Sequence, residues 1–584
     1  MKFFILDGEN LSISQVVEVA YRRRPIAIAE TALEKVRKSR AFIEKKVQSG
    51  EIIYAINTGF GSNASVVISN PDDAGLLQKN LLLSHACGVG ENFSAEIVRA
   101  IMLIRLNTLL AGYSGIQEET ILLLRDLINH KIHPVIPSQG SVGASGDLCP
   151  LSHMALALIG EGDVDLEFEK DGKIQKQRMS AKQALKLKDL EAIQLKHKEG
   201  IALNNGTTVM AALGVMSVYE SLRLLKLGIL SSSLCFEAFC ARKQAFDLRV
   251  HQVRRHQGQL KVAQMIKRFT EDSEMMGINS QDILSKVPDS IINLLPKEQK
   301  EELEIVLSGI PRKFSSKLFK SLPDEDGEVP WKQWETIFRL AEKKITPQDS
   351  YSIRCTPQVL GASLQAILHA KEAVENELNA VVDNPLLFTE EEDVLSGGNF
   401  HGQPIALVLD YMKLAVAEIG NLLERQINKL VDPATNDILP AFLIEKPGLN
   451  SGLMIPQYVA ASLVSENKVL VHPASADSIP TSANQEDHVS MGTIAGRQAL
   501  EIIGNVKKIV AILMLTSAQA LDLRKEQLHK AGIHPEAAKK TLELHTLIRK
   551  YSSHIREDRL LYEDIEKIMK NFEAFYTLVE NEEF

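Results

Sequence analysis

Along IALVLDYMKLAVAEIGNLLERQINKLV (405–431), apolar residues fall at 405, 408, 409, 412, 416, 419, 423, 427 and 430. Steps of three and four place them on one face of a helix and leave the polar residues on the other. The same spacing predicts long helices over 94–112, 117–130, 207–232, 358–382 and 491–523. Within the last, IVAILML (509–515) is apolar nearly all round, the pattern of a helix inside a bundle. Long helices joined by short breaks predict a mainly α fold, a long antiparallel helical bundle. Strand signals are few, IIYAI (52–56) and VDLEFE (164–169) being the best. No internal repeat and no low-complexity linker interrupts the pattern.

Composition narrows the class. A chain of 584 residues, 45% hydrophobic and 24% charged, has the make-up of an ordinary soluble globular protein large enough for several domains or one large helical body. A formal net charge of −9 argues against a dedicated nucleic-acid or anionic-membrane binder. The opening MKFFILDGEN has too short an apolar run before Asp7 and Glu9 for a signal peptide. No uninterrupted apolar stretch reaches the roughly 18 residues of a membrane span. The five cysteines are scattered without a CxxC, which suits reduced thiols in a cytoplasm. From about 270 to 345 the texture changes. Charge rises, Pro288, Pro296, Pro311, Pro323 and Pro330 punctuate the chain, and both tryptophans, Trp331 and Trp334, occur here. This segment reads as a surface insertion of short helices.

The candidate chemistry lies in SQGSVGASGDLCPLSHMALALIGEG (138–162), where a bare Gly/Ser run precedes a helical pattern. Glycines at 140, 143 and 146 do not fit the dinucleotide fingerprint, and Asp147 stands where a phosphate loop needs lysine. Gly143-Ala144-Ser145-Gly146 is out of frame for the nucleophile elbow of a hydrolase. Two readings remain. One is a flexible turn, with Asp147 capping the next helix and Pro150 in its first turn. The other is backbone chemistry. Attack of the Gly146 nitrogen on the Ala144 carbonyl closes a five-membered ring around Ser145, and loss of two waters leaves an exocyclic methylidene, an electrophile that no unmodified side chain provides. Gly146, lacking Cβ, permits the strained approach, and the helix N-terminus near Asp147 supplies a positive dipole end.

GSVGASGDLCPLSHMALALIGEG resembles the aromatic amino-acid ammonia-lyases, in which Ala-Ser-Gly cyclises to 4-methylideneimidazole-5-one. The resemblance continues in the family's order through YAINTGFGS (54–62), NLLLSHACGVGE (80–91), EGIALNNGT (199–207), QDSYSIRCTPQ (348–358), DNPL (383–386), SGGNFHGQP (396–404) and DSIPTSANQEDHVSMG (477–492). It covers nearly the whole chain. The Ser84-His85 pair and the SANQEDHVSM run resemble the histidine-specific branch, whereas phenylalanine and tyrosine lyases typically carry Phe-Leu or His-Leu at the pair.

The resemblance implies conversion of L-histidine to trans-urocanate and ammonia, with the ring formed from Ala144, Ser145 and Gly146 and no external cofactor. It makes Tyr54 the base at the substrate's β carbon. A tyrosine's ordinary pKa of about 10 means that a phenolate base needs a neighbouring positive charge or donors, which implies an alkaline pH optimum. Arg354 is implied as the clamp on the substrate carboxylate, a role suited to a guanidinium fork. Asn205, Gln348 and Tyr351 match positions that bond the ring or hold substrate and base, and Phe400 matches an aromatic beside the ring. His85 and Glu486 match positions facing the imidazole. A phenyl ring there would leave two buried polar groups unpaired, at about 1–3 kcal/mol each.

No metal requirement is expected. His251 and His256 form no HExxH, and His133, His153, His401 and His488 are far apart in sequence. The resemblance further implies a homotetramer whose active sites draw loops from more than one subunit. Expected domains are an N-terminal portion of mixed structure carrying the ring and Tyr54 loops (1–205), a central bundle (206–269 and 346–525), the inserted segment (270–345) and a C-terminal helical portion (526–584). The alternatives are a phenylalanine or tyrosine lyase, an aminomutase of the same family, and a non-catalytic helical assembly protein. Ser84-His85 and Glu486 argue against the first two. Tyr54, Ser145 and Arg354 together argue against the last.

Overall fold

The fold, a computed structural model, describes residues 2–68, 70, 73–170, 173–308, 331–344 and 348–584. It is mainly α and divides into two compact units. Unit 1 comprises Met1–Glu220, Ile367–Lys413 and Val471–Glu501, and unit 2 comprises Ser221–Ala366, Leu414–Leu470 and Ile502–Phe584. The division falls inside the helices Thr208–Ala238, Thr356–Leu378, Gln403–Val431 and Gly492–Lys530, so each unit holds one stretch of each.

All the helices expected from apolar periodicity are present, two as Ala95–Leu110 and Glu118–Asn129. In unit 1, Gly214 lies against Val374 and Leu409, and Gly496 against Leu213 and Leu409, so the four long stretches pack on a shared apolar core. In unit 2, Gly228 lies against Ile419 and Leu423, and Gly420 against Val506 and Ile509. A polar strut crosses that core: Ser232 Oγ donates to Gln426 Oε1 at 2.8 Å, and Gln426 Nε2 donates to the Ser352 carbonyl at 2.9 Å. The residues of IVAILML are all fully buried. Thr208–Ala238 is long and apolar enough to cross a membrane, yet 78% of its most apolar window is buried within the protein, as in a core helix.

The strand expected at 164–169 forms as Asp163–Lys170, antiparallel to Lys173–Ser180 and, on its other side, to Ile132–Pro134. The strand expected at 52–56 does not form. Residues 54–56 are a turn, with Ala55 at φ +59°. Local side chains capture the backbone donors a strand would have used: Asn57 Oδ1 accepts from Ile53 N–H at 2.8 Å, and Thr58 Oγ1 from Ala55 N–H at 3.0 Å. Asn and Thr offer the backbone this alternative to a sheet ladder, and it prevails over the β-branched pattern.

Within the proline-punctuated segment, the described residues form short helices: Ser280–Leu284, Asp289–Leu294, Lys297–Leu307 and Trp331–Lys343. Pro288 and Pro296 occupy the N-cap positions of two of them. Pro311, Pro323 and Pro330 lie outside the described residues.

Candidate active site

The glycine run folds into a tight turn that ends at the helix Leu148–Leu156, whose first turn contains Pro150. Ser141 closes it from within, with Oγ accepting from Gly143 N–H at 3.1 Å and donating to the Gly146 carbonyl at 3.4 Å. Gly146 has φ +73°, and a β-carbon there would sit 2.2 Å from the Gly206 carbonyl carbon, so only glycine fits. Gly206 N–H donates to the Ser145 carbonyl at 3.1 Å, and Asp147 N–H to the Gly206 carbonyl at 2.8 Å. Two backbones are thus pressed together at Ser145, with no side chain between them.

Asp147 occupies the N-cap position of Leu148–Leu156, but its side chain makes no cap bond there. This corrects the expectation of a simple cap. The carboxylate instead accepts from Val209 and Met210 N–H, both at 2.9 Å, in the first turn of Thr208–Ala238, and from Ser141 and Thr493 hydroxyls. It is fully buried, which pushes its pKa up despite those donors.

Ser145 opens into a cavity of about 900 Å³ whose lining lies entirely within unit 1. Tyr54, His85, Ala144, Asn205, Phe400 and Glu486 all line it. Tyr54 stands on the turn described above, where its phenol oxygen accepts from Gly61 N–H at 3.2 Å. His85 ends the helix Asp73–His85, with Nδ1 3.0 Å from Ser84 Oγ. Burial holds the His85 pKa below the ordinary histidine value, outweighing the opposing Glu486 charge. Glu486 accepts from Ser145 Oγ and from Thr481 Oγ1, each at 2.8 Å. Asn205 is 3% exposed; its Nδ2 donates to the Ser145 carbonyl at 3.3 Å, while its Oδ1 is buried without a partner. That orphaned acceptor beside a glycine-pinched loop fits a group formed from residues 144–146.

Gln348, Tyr351 and Arg354 do not line this cavity. They lie in unit 2, where Gln348 and Arg354 line a cavity of about 250 Å³. Tyr351 is 72% exposed, with the Arg354 guanidinium 4.5 Å above its ring, and Arg354 Nε donates to the Asp349 carbonyl at 3.0 Å.

Sequence reasoning considers His401 and His488 only as metal ligands and gives them no place in the cavity. His401 and His488 both line it, with His488 Nδ1 and His401 Nε2 3.4 Å apart. The signal was available in part, since both fall inside family-like motifs, GGNFHG and QEDHVSM. Among the described residues, no group of three or more His, Cys, Asp or Glu has an arrangement that could hold a metal.

Comparison with known proteins completes the picture. Histidine ammonia-lyase of Geobacillus thermodenitrificans is 43% identical over 564 residues, covering 97% of this chain and 96% of its own. Among solved structures, histidine ammonia-lyase from Trypanosoma cruzi is similar at TM-score 0.78 and 34% identity, covering 99% of this chain and 94% of its own. Tyrosine aminomutase from Streptomyces globisporus is similar at TM-score 0.82 and 30% identity, covering 100% of this chain and 99% of its own. Residues 11–550 match the family described as aromatic amino acid lyase, and with the Ser145 turn and its cavity in place, the chain belongs to that family.

Proposed function

We propose that this chain is a histidine ammonia-lyase that converts L-histidine to trans-urocanate and ammonia. The observation that carries the reading is the convergence of Ser145, Tyr54, His85, Asn205 and Glu486 on one cavity. A 4-methylideneimidazole-5-one formed from Ala144, Ser145 and Gly146 would supply an electrophile for the substrate's amino group. Around it, this chain's side chains do the rest. Tyr54 takes the proton from the substrate's β carbon, its oxygen held in place by the Gly61 N–H. Glu486 accepts the substrate's imidazole N–H, and His85, kept neutral by burial, completes the imidazole's hydrogen bonding. A phenyl ring offers neither partner, which supports histidine over phenylalanine. Phe400 and Asn205 line the same cavity and would hold the prosthetic group formed from residues 144–146.

Gln348, Tyr351 and Arg354 complete the site from a neighbouring subunit of a homotetramer, with Arg354 clamping the carboxylate. Their absence from this chain's own cavity and the exposure of Tyr351 support that assignment. The five cysteines are unpaired, which supports residence in a reducing cytoplasm.

The test is near-ultraviolet absorbance of the purified protein with L-histidine, L-phenylalanine and L-tyrosine in separate cuvettes. A rise with L-histidine alone supports the reading. A rise with another amino acid keeps the ring and overturns the specificity, and conversion of L-tyrosine to a β-amino acid would make the chain an aminomutase. An intact mass equal to the uncyclised chain would remove the reaction altogether.

A further inference from the structure

The cavity holds two imidazoles to which the proposed reaction assigns no task. Phe400 and His401 sit on one loop, and Glu486 and His488 on another. The second loop is tied at its ends. Thr481 and Glu486 exchange backbone hydrogen bonds, and Met491 N–H donates to the Val142 carbonyl at 2.9 Å. Between those ties, Ser482, Ala483 and Asn484 all have positive φ, a strained run that needs outside support.

Hydrogen bonds fix the tautomers. Gln403 N–H donates to His401 Nδ1 at 3.3 Å, so that nitrogen carries no proton and the neutral ring is protonated at Nε2. The Nε2–H then faces His488 Nδ1 at 3.4 Å, which must be an unprotonated acceptor, leaving the His488 proton on Nε2. The rings lie 5.5 Å apart between centroids, tilted by 32°. Both acceptor nitrogens of the pair are therefore already engaged. The bond between the rings runs from His401 Nε2–H to His488 Nδ1.

We propose that the His401–His488 hydrogen bond is a positioning bridge, holding the Glu486 loop against the Phe400 loop. It rests on the histidine ammonia-lyase reading for the identity of the ligand, but not for the bridge itself. A metal between the two rings is disfavoured by the same bonds. Metal ligation at His401 Nε2 would put a proton on Nδ1, against the Gln403 N–H. Other titratable groups face the pair across the cavity: Glu486 and Asp487 on the same turn, His85 from the end of its helix, and Tyr54 from its turn. Their influence is removed by comparing proteins that retain all four.

The test uses the full-length chain carrying Ser145→Ala, in which turnover is absent, and measures L-histidine binding by calorimetry at about pH 8. Three proteins are compared: this background, the same with His488→Ala, and the same with His401→Gln/His488→Asn, an uncharged donor opposite an uncharged acceptor. His488→Ala should bind about tenfold more weakly, the loss of about one hydrogen bond. The amide pair should recover most of that loss. Unimpaired binding by His488→Ala, or no recovery in the amide pair, overturns the bridge. A second measurement needs no substrate. Nitrogen-15 spectra of histidine-labelled protein should show His401, assigned by its loss in His401→Gln, with an unprotonated Nδ1. A protonated Nδ1 overturns the proposal even if L-histidine proves not to bind, an outcome that would itself sink only the choice of substrate.

Discussion

Ser145 and Glu486 share a hydrogen bond in the uncyclised chain, so each reports on the other. The proposed ring closure would remove the serine hydroxyl and free Glu486 Oε1 for a substrate N–H. Ser145→Ala should therefore abolish turnover and leave an intact mass with no loss of two waters, while circular dichroism stays helical. Full activity in that variant would remove the ring. Glu486→Gln keeps the shape of the side chain but loses its charge. A hydrogen bond to a charged group contributes about 1.5–3 kcal/mol, so kcat/KM for L-histidine should fall by about 10- to 100-fold with little change in unfolding midpoint. Unchanged kinetics would take Glu486 out of imidazole recognition. Both expectations are properties of single side chains placed by a cavity that already exists.

At the scale of elements, Asp147 does more than begin a helix. It joins the Ser145 turn to the N-terminus of Thr208–Ala238 and to Thr493 at the start of Gly492–Lys530. Asp147→Ala would leave the buried Val209 and Met210 N–H groups without their acceptor and take one of two acceptors from each of the Ser141 and Thr493 hydroxyls, at about 1–3 kcal/mol for each unpaired group. Thermal unfolding should show a clear loss of stability, and mass spectrometry incomplete ring formation. A variant as stable as the parent would show that the carboxylate holds nothing together. The neighbouring Gly206 has φ +122°, and a β-carbon there would lie 2.6 Å from Val382 Cγ2 and 2.7 Å from the Val382 carbonyl oxygen. Gly206→Ala should displace the strand of backbone that presses on Ser145, at a cost of about 1–3 kcal/mol. Normal ring formation in Gly206→Ala would uncouple the two segments. The turn at 54–56 makes a similar point, since Asn57 and Thr58 decide its backbone against the apolar pattern around them.

Across the whole molecule, burial of imidazoles ties stability to pH. Burial holds His133, His153, His197 and His251 below the ordinary histidine value. Because the folded values are depressed, the unfolded chain binds more protons on acidification. Their contribution is complete above about pH 6.5, the unfolded value, and is lost as pH falls through the folded values. Burial raises Asp147, Glu237 and Glu377 instead, and these act in the opposite sense, their contribution fading as pH rises. One substitution separates the two. His153 Nε2 accepts from Gly88 N–H at 3.0 Å, and His153→Gln keeps an acceptor there without a titrating ring. Its urea midpoint should fall less steeply than the parent's between about pH 7 and 5. Parallel profiles would exclude His153 from the acid response.

Much of this was written in local patterns. The helices were legible because 3.6-residue periodicity is a property of neighbouring residues, and amphipathic burial amplifies it. The Gly-Ser run, with Ala144, Ser145 and Gly146 in sequence, was legible because backbone chemistry needs adjacent residues and a missing Cβ. Tyr54, His85, Asn205, Phe400 and Glu486 could be named from their motifs, but their meeting around Ser145 could not be read from spacing. The helix bonded by Asp147 begins about 60 residues further on, and the two histidines of the bridge are 87 residues apart. No periodicity encodes such distances. The sequence by itself determined which segments coil and which residue types are available for chemistry. Only the tertiary structure decided which of them share a cavity, which proton each imidazole keeps, and which donors a buried carboxylate satisfies, because those depend on packing between segments remote along the chain.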